Sequence, residues 1–208
     1  AITSNMGVGA RDNTSVSVIE WFTLFQTNRF SAFSCLGVIN IVTLSLGIPV
    51  YLALYHAHRR QHPAGAALAA ILFFIGTAVY FSSNTVFSMF ALSEQYAAAT
   101  QAQKPVLEAA GRSLLAQGAD LTTGTFIGLI LTQLAGILIT GLMLKGSPFG
   151  RYTGAAGLAG FTLTSIFFIL AAFRPESFAT AMFFAMPGGL LLMAYQIILA
   201  RRFFQLGK

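Results

Sequence analysis

Five long apolar stretches, separated by short polar segments, form the dominant pattern along the chain. Each stretch is long enough to cross a bilayer as an α-helix, which takes about 20 apolar residues. The pattern therefore predicts an all-α fold, a polytopic transmembrane helix bundle that forms a single membrane domain over residues 1–208. The predicted spanning helices cover about residues 30–55, 64–92, 123–144, 152–173 and 177–200.

Two further segments have the spacing of amphipathic helices at the membrane surface. From Val18 to Phe25 the apolar residues recur at near-helical intervals, and Trp21 is expected at the level of the lipid headgroups. In about residues 103–118, Pro105 suits the first turn of a helix and Gly118 suits its end. The apolar residues of that second segment fall on one side: Leu107, Ala110, Leu114 and Leu115. We expect it to lie on the outer membrane surface or to cap the bundle.

Small residues recur at every fourth position of the third predicted span. They are Gly124, Gly128, Thr132, Gly136 and Thr140. At 1.5 Å per residue this row covers roughly 24 Å of one helix face. Small side chains allow close approach of another backbone, which is how helices pack in lipid. The row, together with Gly157 in the fourth span, predicts that the third span packs against the fourth and also the first.

The composition agrees with a membrane environment. Of the 208 residues, 56% are hydrophobic and 9% are charged, whereas a soluble domain has roughly 25% charged residues. The net charge of +6 does not indicate nucleic-acid binding, because the charges lie in short clusters and form no basic face with interleaved aromatic residues. Membrane lipid is therefore the expected partner, with other membrane subunits or further copies of the chain beside it.

The distribution of charge predicts the orientation of the spans. Seven basic residues and no acidic residue fall on one side of the five spans, and all six acidic residues fall on the other. The seven are Arg59, Arg60, Lys145, Arg151, Arg201, Arg202 and Lys208. Positive loops stay in the cytoplasm, so we expect a bacterial inner membrane protein whose C-terminus is cytoplasmic. Five spans with an outside start also predict a sixth helix upstream of Ala1.

Polar residues lie at one depth in several predicted spans. Asn40, Gln133 and Pro187 are each about ten residues from the outer end of a span, and Ser165 and Asn84 lie near the same depth. The segment Met186-Pro187-Gly188-Gly189 is expected to interrupt the fifth span. Amides in hydrocarbon need hydrogen-bond partners. The layer therefore predicts either interhelical hydrogen bonds that fix packing or an outward-facing pocket for a lipid or apolar ligand.

Other polar clusters do not form a recognisable catalytic or metal site. His56, His58 and His62 have no carboxylate on their side of the membrane, which favours a headgroup-contacting loop over zinc. An axial ligand to a porphyrin-type pigment is the alternative for His56. At the outer rim, Asp120, Arg174 and Glu176 suit ion pairs better than acid–base chemistry. No catalytic residue and no metal ligand is assigned, and no cofactor is identified.

Four stretches of the chain resemble a family of bacterial multi-pass membrane proteins described as domain of unknown function 4386. They are LALYHAHRR at 52–60, AVYFSSNTVFSMFALSEQYAAAT at 78–100, LEAAGRSLLAQG at 107–118 and LKGSPFGR at 144–151. The resemblance covers most of the chain after residue 20 and implies an additional helix near the start. It brings no established activity and no assigned catalytic residues.

Three functions are compatible with these features. The first is a non-enzymatic scaffold or accessory subunit of a membrane assembly, which would hold a lipid, quinone or pigment. The second is a small-solute transporter that uses a mid-membrane polar pocket. The third is a membrane enzyme with an outward-facing site around Asn84, Asp120 and Arg174. No acidic or basic residue lies deep inside a predicted span, which argues against an ion-coupled pump.

Overall fold

The computed structural model of the chain describes residues 17–118, 121–146, 149–174, 176 and 178–206. Within these ranges the chain forms nine α-helices and no strand, which confirms the all-α prediction. The helices are α1 (Val18–Thr27), α2 (Arg29–Cys35), α3 (Val38–His58), α4 (Pro63–Ser83), α5 (Val86–Ala98), α6 (Lys104–Gly118), α7 (Thr123–Leu144), α8 (Arg151–Phe173) and α9 (Phe178–Leu206).

Five helical stretches in the described residues are long and apolar enough to cross a membrane. They are Val38–His58, Pro63–Ala98, the described parts of Lys104–Leu144, Arg151–Phe173 and Phe178–Gln205. Large apolar side chains on these stretches are exposed, among them Leu46 at 66% and Leu190 at 69%. An exposed apolar surface of this kind suits lipid rather than water. The fold is therefore a multi-pass transmembrane helix bundle.

The helix boundaries differ from the predicted spans at three places. Gly37, with φ of +97°, separates α2 from α3, so the first long helix begins at Val38 and not at residue 30. Asn84 lies between the end of α4 and the start of α5, within the predicted second span. The third difference is a correction: α9 runs through Pro187 without interruption. Proline removes a single backbone donor, and neighbouring helices compensate for that loss in membrane helices.

The contacts divide the chain into two compact units. The first comprises the described parts of Ala1–Ser45 and Val79–Phe126, and the second comprises Leu46–Ala78 and the described parts of Ile127–Lys208. The prediction of a single membrane domain over residues 1–208 stays a prediction. Helices α3, α4 and α7 each contribute residues to both units.

The core of the first unit is a cluster of aromatic and aliphatic side chains around α1. Its buried members are Val18, Trp21, Phe22, Leu24, Phe25, Ala32, Leu36, Val86 and Met89. A capping box starts α1: the Ser17 hydroxyl accepts from the Glu20 amide, and the Glu20 carboxylate accepts from the Ser17 amide. Trp21 is only 3% exposed. The prediction that it lies among lipid headgroups is therefore wrong, because its side chain is buried inside the protein.

Helix α6 packs on α1 and α5 through its apolar side. A Cβ on Gly111 would lie 2.6 Å from Val18 Cγ1 and 2.9 Å from Phe22 Cζ, so α6 and α1 are in close contact. The Thr85 hydroxyl donates to the Leu114 carbonyl oxygen over 2.9 Å and fastens α6 to the start of α5. Of the two alternatives for this segment, these contacts favour the cap over a helix that lies on lipid alone.

In the second unit, α7, α8 and α9 pack antiparallel in chain order. Along α7 and α8, Gly136 faces Phe161 and Gly157 faces Thr140, so the residue number rises on one helix as it falls on the other. Along α8 and α9, Gly160 faces Leu192 and Gly188 faces Thr164 in the same manner. Glycine at these contacts brings the backbones close enough for dispersion contacts in an environment without a hydrophobic driving force.

Candidate functional site

Two amide side chains in the first unit connect α4 to the α2–α3 region. Asn40 Nδ2 on α3 donates to the Tyr80 hydroxyl on α4 over 3.1 Å. Asn84 Nδ2, which follows α4, donates to the Leu36 carbonyl oxygen over 3.0 Å. Leu36 lies four residues before Asn40, and Asn84 lies four residues after Tyr80. The two bonds are therefore one helical turn apart and join two antiparallel segments.

Asn84 also explains why α4 ends where it does. Its Oδ1 accepts from the Val86 amide over 3.0 Å, which is a local side-chain bond that competes with helical pairing. Its backbone amide still donates to the Tyr80 carbonyl oxygen over 3.0 Å. The side chain thus serves as a joint between α4 and α5, with both of its polar atoms hydrogen-bonded inside the protein.

Hydroxyl groups in the second unit are bonded within their own helices. Ser165 Oγ donates to the Phe161 carbonyl oxygen over 2.7 Å, and Thr140 Oγ1 donates to the Gly136 carbonyl oxygen over 2.6 Å. Thr132 does the same with the Leu129 carbonyl oxygen at 2.7 Å. Such bonds satisfy a hydroxyl in an apolar environment without another helix. Ser165, a predicted member of the polar layer, therefore acts within α8.

The predicted packing row on α7 is in close contact with neighbouring helices. A Cβ on Gly76 of α4 would lie 2.7 Å from the Gly128 carbonyl oxygen and 2.9 Å from Thr132 Cγ2. Further along the row, Gly124 faces Ser83 at the end of α4. Gly136 faces α8, as the sequence indicates. The second predicted span therefore packs on this row, where the sequence suggested the first.

Two polar atoms buried in the second unit have no hydrogen-bond partner among the described residues. They are Gln133 Oε1 on α7 and Thr77 Oγ1 on α4, in side chains that are 9% and 3% exposed. An unsatisfied buried acceptor costs about 1–3 kcal/mol. Gln133 was predicted from its depth in the span, whereas Thr77 was missed because one hydroxyl in an apolar run gives no signal.

The predicted polar layer is distributed over both units. Asn40 and Asn84 belong to the first, and Gln133, Ser165 and Pro187 belong to the second. Beside Pro187, a Cβ on Gly188 would lie 2.9 Å from Thr164 Oγ1, so these parts of α8 and α9 do lie at a common level. The predicted convergence of Asn40 with Gln133 and α9 stays a prediction.

A polar cluster in the first unit was not predicted. Arg29 Nη2 lies 3.1 Å from Glu94 Oε1, and Gln26 Nε2 donates to the same oxygen over 3.3 Å. Nearby, the Tyr96 hydroxyl donates to Glu108 Oε1 over 2.9 Å. The charges of Arg29 and Glu94 are opposite, but 65 residues separate them, so no local spacing signals the pair. Exposed pairs of this kind contribute about 0–1 kcal/mol.

The histidines after the first span are not equivalent. His58 is fully buried, its Nδ1 lies 2.9 Å from the Leu54 carbonyl oxygen, and its ring stacks on Phe149 at 5.8 Å. The prediction of a headgroup-contacting loop is therefore wrong for His58, because the ring packs against the residues before α8. Among the described residues, no three His, Cys, Asp or Glu side chains group to hold a metal ion. Asp120 of the outer-rim group lies outside them.

The described polar side chains thus connect or complete helices, except for three buried groups without a hydrogen-bond partner among the described residues: Gln133 Oε1, Thr77 Oγ1 and Trp21 Nε1. This geometry supports interhelical bonding for Asn40 and Asn84. Comparison of the chain with protein-family models, with curated proteins and with solved structures finds no match.

Proposed function

We propose that the chain is a non-enzymatic scaffold or accessory subunit of an assembly in the bacterial inner membrane. In this role it packs beside a larger partner and holds a lipid, quinone or pigment at the contact. The C-terminus is cytoplasmic in the proposed orientation, because the loops on that side carry the basic residues and no acid. Its resemblance to a membrane family without assigned activity is compatible with this role.

The observation that carries the proposal is the exposed face of α9. From Phe183 to Ile197, large apolar side chains follow one another at intervals of three and four residues, and Phe204 follows seven residues later near the end of the helix. They are Phe183 (79% exposed), Met186 (67%), Leu190 (69%), Met193 (60%), Ile197 (60%) and Phe204 (78%). Membrane helices associate by side-chain packing, and unbranched methionine adapts to an irregular partner surface. The face therefore suits a partner helix.

Copurification from native membranes tests the proposal. The full chain, tagged at its C-terminus, is crosslinked in its native membrane, solubilised in mild detergent and isolated with its partners. We expect one membrane protein at constant stoichiometry. We expect Leu190→Ala with Ile197→Ala to reduce that recovery at least about tenfold, which corresponds to about 1.4 kcal/mol of lost contact.

The matched control is Ile71→Ala with Ile75→Ala on α4. These side chains are 52% and 49% exposed, so the control removes the same kind of surface from another span. A partner lost equally from both variants, or no partner at constant stoichiometry with the unaltered chain, contradicts the proposal.

A second candidate function, small-solute transport, is favoured by one observation. Gln133 Oε1 and Thr77 Oγ1 are buried inside the second unit without hydrogen-bond partners in the part of the chain that the structure describes. A buried polar atom without a hydrogen bond costs free energy, and polar groups inside membrane helices mark solute pathways. Gln133→Met keeps the length of the side chain and removes both polar atoms. If Gln133 only packs between helices, we expect this variant to have unchanged or higher thermal stability and unchanged solute flux into proteoliposomes. Loss of solute uptake in a stable variant favours the transporter.

A further inference from the structure

The second unit contains a basic groove at the end of α9. Its volume is about 260 Å³, and its lining residues are Ile198, Arg201, Arg202 and Gln205. These residues are spaced by three, four and seven positions from the first, so they share one face of the helix. Sites that enclose drug-sized ligands have about 300–1,000 Å³. The groove therefore suits a compact polar group and leaves the remainder of a larger ligand outside.

The two arginines have no acidic residue close to them in the sequence. Neither of the segments 145–152 and 200–208 contains an Asp or Glu. Arg202 Nη1 donates to Gln205 Oε1 over 3.4 Å, so these two lining side chains lie side by side. Two planar guanidinium groups on one face match the oxygens of a phosphate, because each can donate two parallel hydrogen bonds.

The start of α8 adds to the positive potential beside the groove. A Cβ on Gly150 would lie 3.9 Å from Arg202 Nη2, so Arg202 is close to this helix end. Gly150 has φ of +84° and α8 has no side-chain cap. The first amides of an uncapped helix carry a partial positive charge. The arginines thus combine with a second source of positive potential at the same place.

The remaining lining residue indicates the rest of the ligand. Ile198 lies one turn before Arg202 and is 37% exposed, and Ile197 beside it is 60% exposed. The exposed surface is therefore basic at the helix end and apolar one turn before it. A glycerophospholipid has the same order, with an anionic headgroup above apolar acyl chains.

We propose that this groove binds the phosphodiester of an anionic glycerophospholipid from the leaflet where α9 ends. The headgroup phosphate pairs with Arg201 and Arg202, and an acyl chain lies along Ile198 and the apolar side of α9. Anionic lipid is preferred over zwitterionic lipid because the groove is lined by no carboxylate for an ammonium group. The inference rests on the membrane-spanning fold and on the lipid-holding part of the proposed function, and its test uses the purified chain without a partner protein.

Native mass spectrometry of the purified full chain tests the proposal. The protein is reconstituted in nanodiscs of phosphatidylcholine with increasing phosphatidylglycerol, and the lipids that stay bound after release are counted. We expect one retained phosphatidylglycerol molecule per chain. Arg201→Gln with Arg202→Gln lowers its affinity at least about tenfold, while Arg59→Gln with Arg60→Gln, the matched basic pair of the same unit, retains it. Equal losses in both variants indicate diffuse charge attraction and overturn the proposal.

Two further measurements test whether bidentate pairing by arginine matters and whether the bound phosphate belongs to a lipid or to a soluble anion. Arg201→Lys with Arg202→Lys keeps the charge and removes the bidentate fork, so we expect a partial loss; unchanged affinity overturns the proposed pairing. Inorganic phosphate at tens of millimolar is added as competitor. We expect the lipid to remain bound, and displacement by phosphate alone means a soluble anion site. The purified chain contains no partner, so failure of copurification does not affect this result.

Discussion

At the scale of single residues, the membrane-embedded amides act as connectors between helices. Asn40 is half-buried and donates to the hydroxyl of Tyr80, a side chain with no exposed surface. Because hydrocarbon offers no alternative partner, the bond is retained wherever the two helices stay together. Measured bonds of this type contribute about 0.6 kcal/mol and up to about 1.7 kcal/mol. The pair therefore stabilises helix register more than it stabilises the whole fold.

A double-mutant cycle measures this bond. We expect Tyr80→Phe and Asn40→Leu each to lower the free energy of unfolding, and the double variant to show a coupling of about 0.6–1.7 kcal/mol. The measurement is reversible unfolding in bicelles or by steric trapping. The control pairs Tyr80→Phe with Thr43→Val, whose hydroxyl bonds only to Ile39 within its own helix. A coupling for Asn40–Tyr80 no larger than that control contradicts the interhelical role.

The sequence indicated the donors of these bonds more readily than the acceptors. Asn40 and Asn84 are conspicuous in apolar runs, and their depth predicted either interhelical bonding or a ligand pocket. The acceptors are a tyrosine in an aromatic stretch and the backbone carbonyl of Leu36. Neither acceptor has a pattern that distinguishes it from packing residues, since every residue has a carbonyl group. The pairing becomes visible only when α3 and α4 lie side by side.

At the scale of helices, close backbone approach at small residues organises the packing of α7. The Cβ that alanine would add at Gly76 meets the Gly128 carbonyl oxygen at 2.7 Å, and this atom belongs to the backbone of α7. A backbone atom cannot rotate away as a flexible side chain does. The helices must therefore separate or shift, and the dispersion contacts along the row weaken.

Alanine at Gly76 is expected to destabilise the protein by about 1–3 kcal/mol, as overpacked sites do. Alanine at Gly141, on α7 itself, would place its Cβ more than 4 Å from any described atom beyond the adjoining backbone of its own helix. There we expect no loss, or a gain of up to about 1 kcal/mol from helix propensity. The thermal midpoint of each variant in the same detergent measures the difference. If both variants unfold at the same temperature, the row does not hold the helices together.

The four-residue spacing predicted the packing row because small residues leave a periodic trace on a helix. It did not identify the second span as the neighbour, since a row of glycines has no preference for one partner surface. Pro187 with its two glycines indicated a break, but α9 continues through it. Local propensity favours the break there, and the membrane environment overrides it by penalising every unpaired backbone group. Helix existence was therefore more predictable than helix pairing or continuity.

At the scale of the whole molecule, the basic loops predict which side each helix end faces. Arg59 and Arg60 follow α3, Lys145 follows α7, and Arg201 and Arg202 lie at the end of α9. Acidic residues are confined to the segments on the other side of the predicted spans. The bias in Lys and Arg near span ends sets orientation because translocating these residues is unfavourable. All of these loops therefore share one compartment in the proposed topology.

Reporter fusions test that topology. A fluorescent protein that folds in the cytoplasm, joined after residue 206, is expected to fluoresce, and alkaline phosphatase joined there is expected to be inactive. Alkaline phosphatase inserted after Gln101, in the segment between α5 and α6, is expected to be active, since that segment belongs to the acidic side. Insertion after Gln61, beside the basic pair, serves as the control and is expected to be inactive. Active phosphatase at residues 61 and 206 reverses the orientation, and the lipid groove of α9 then belongs to the opposite leaflet.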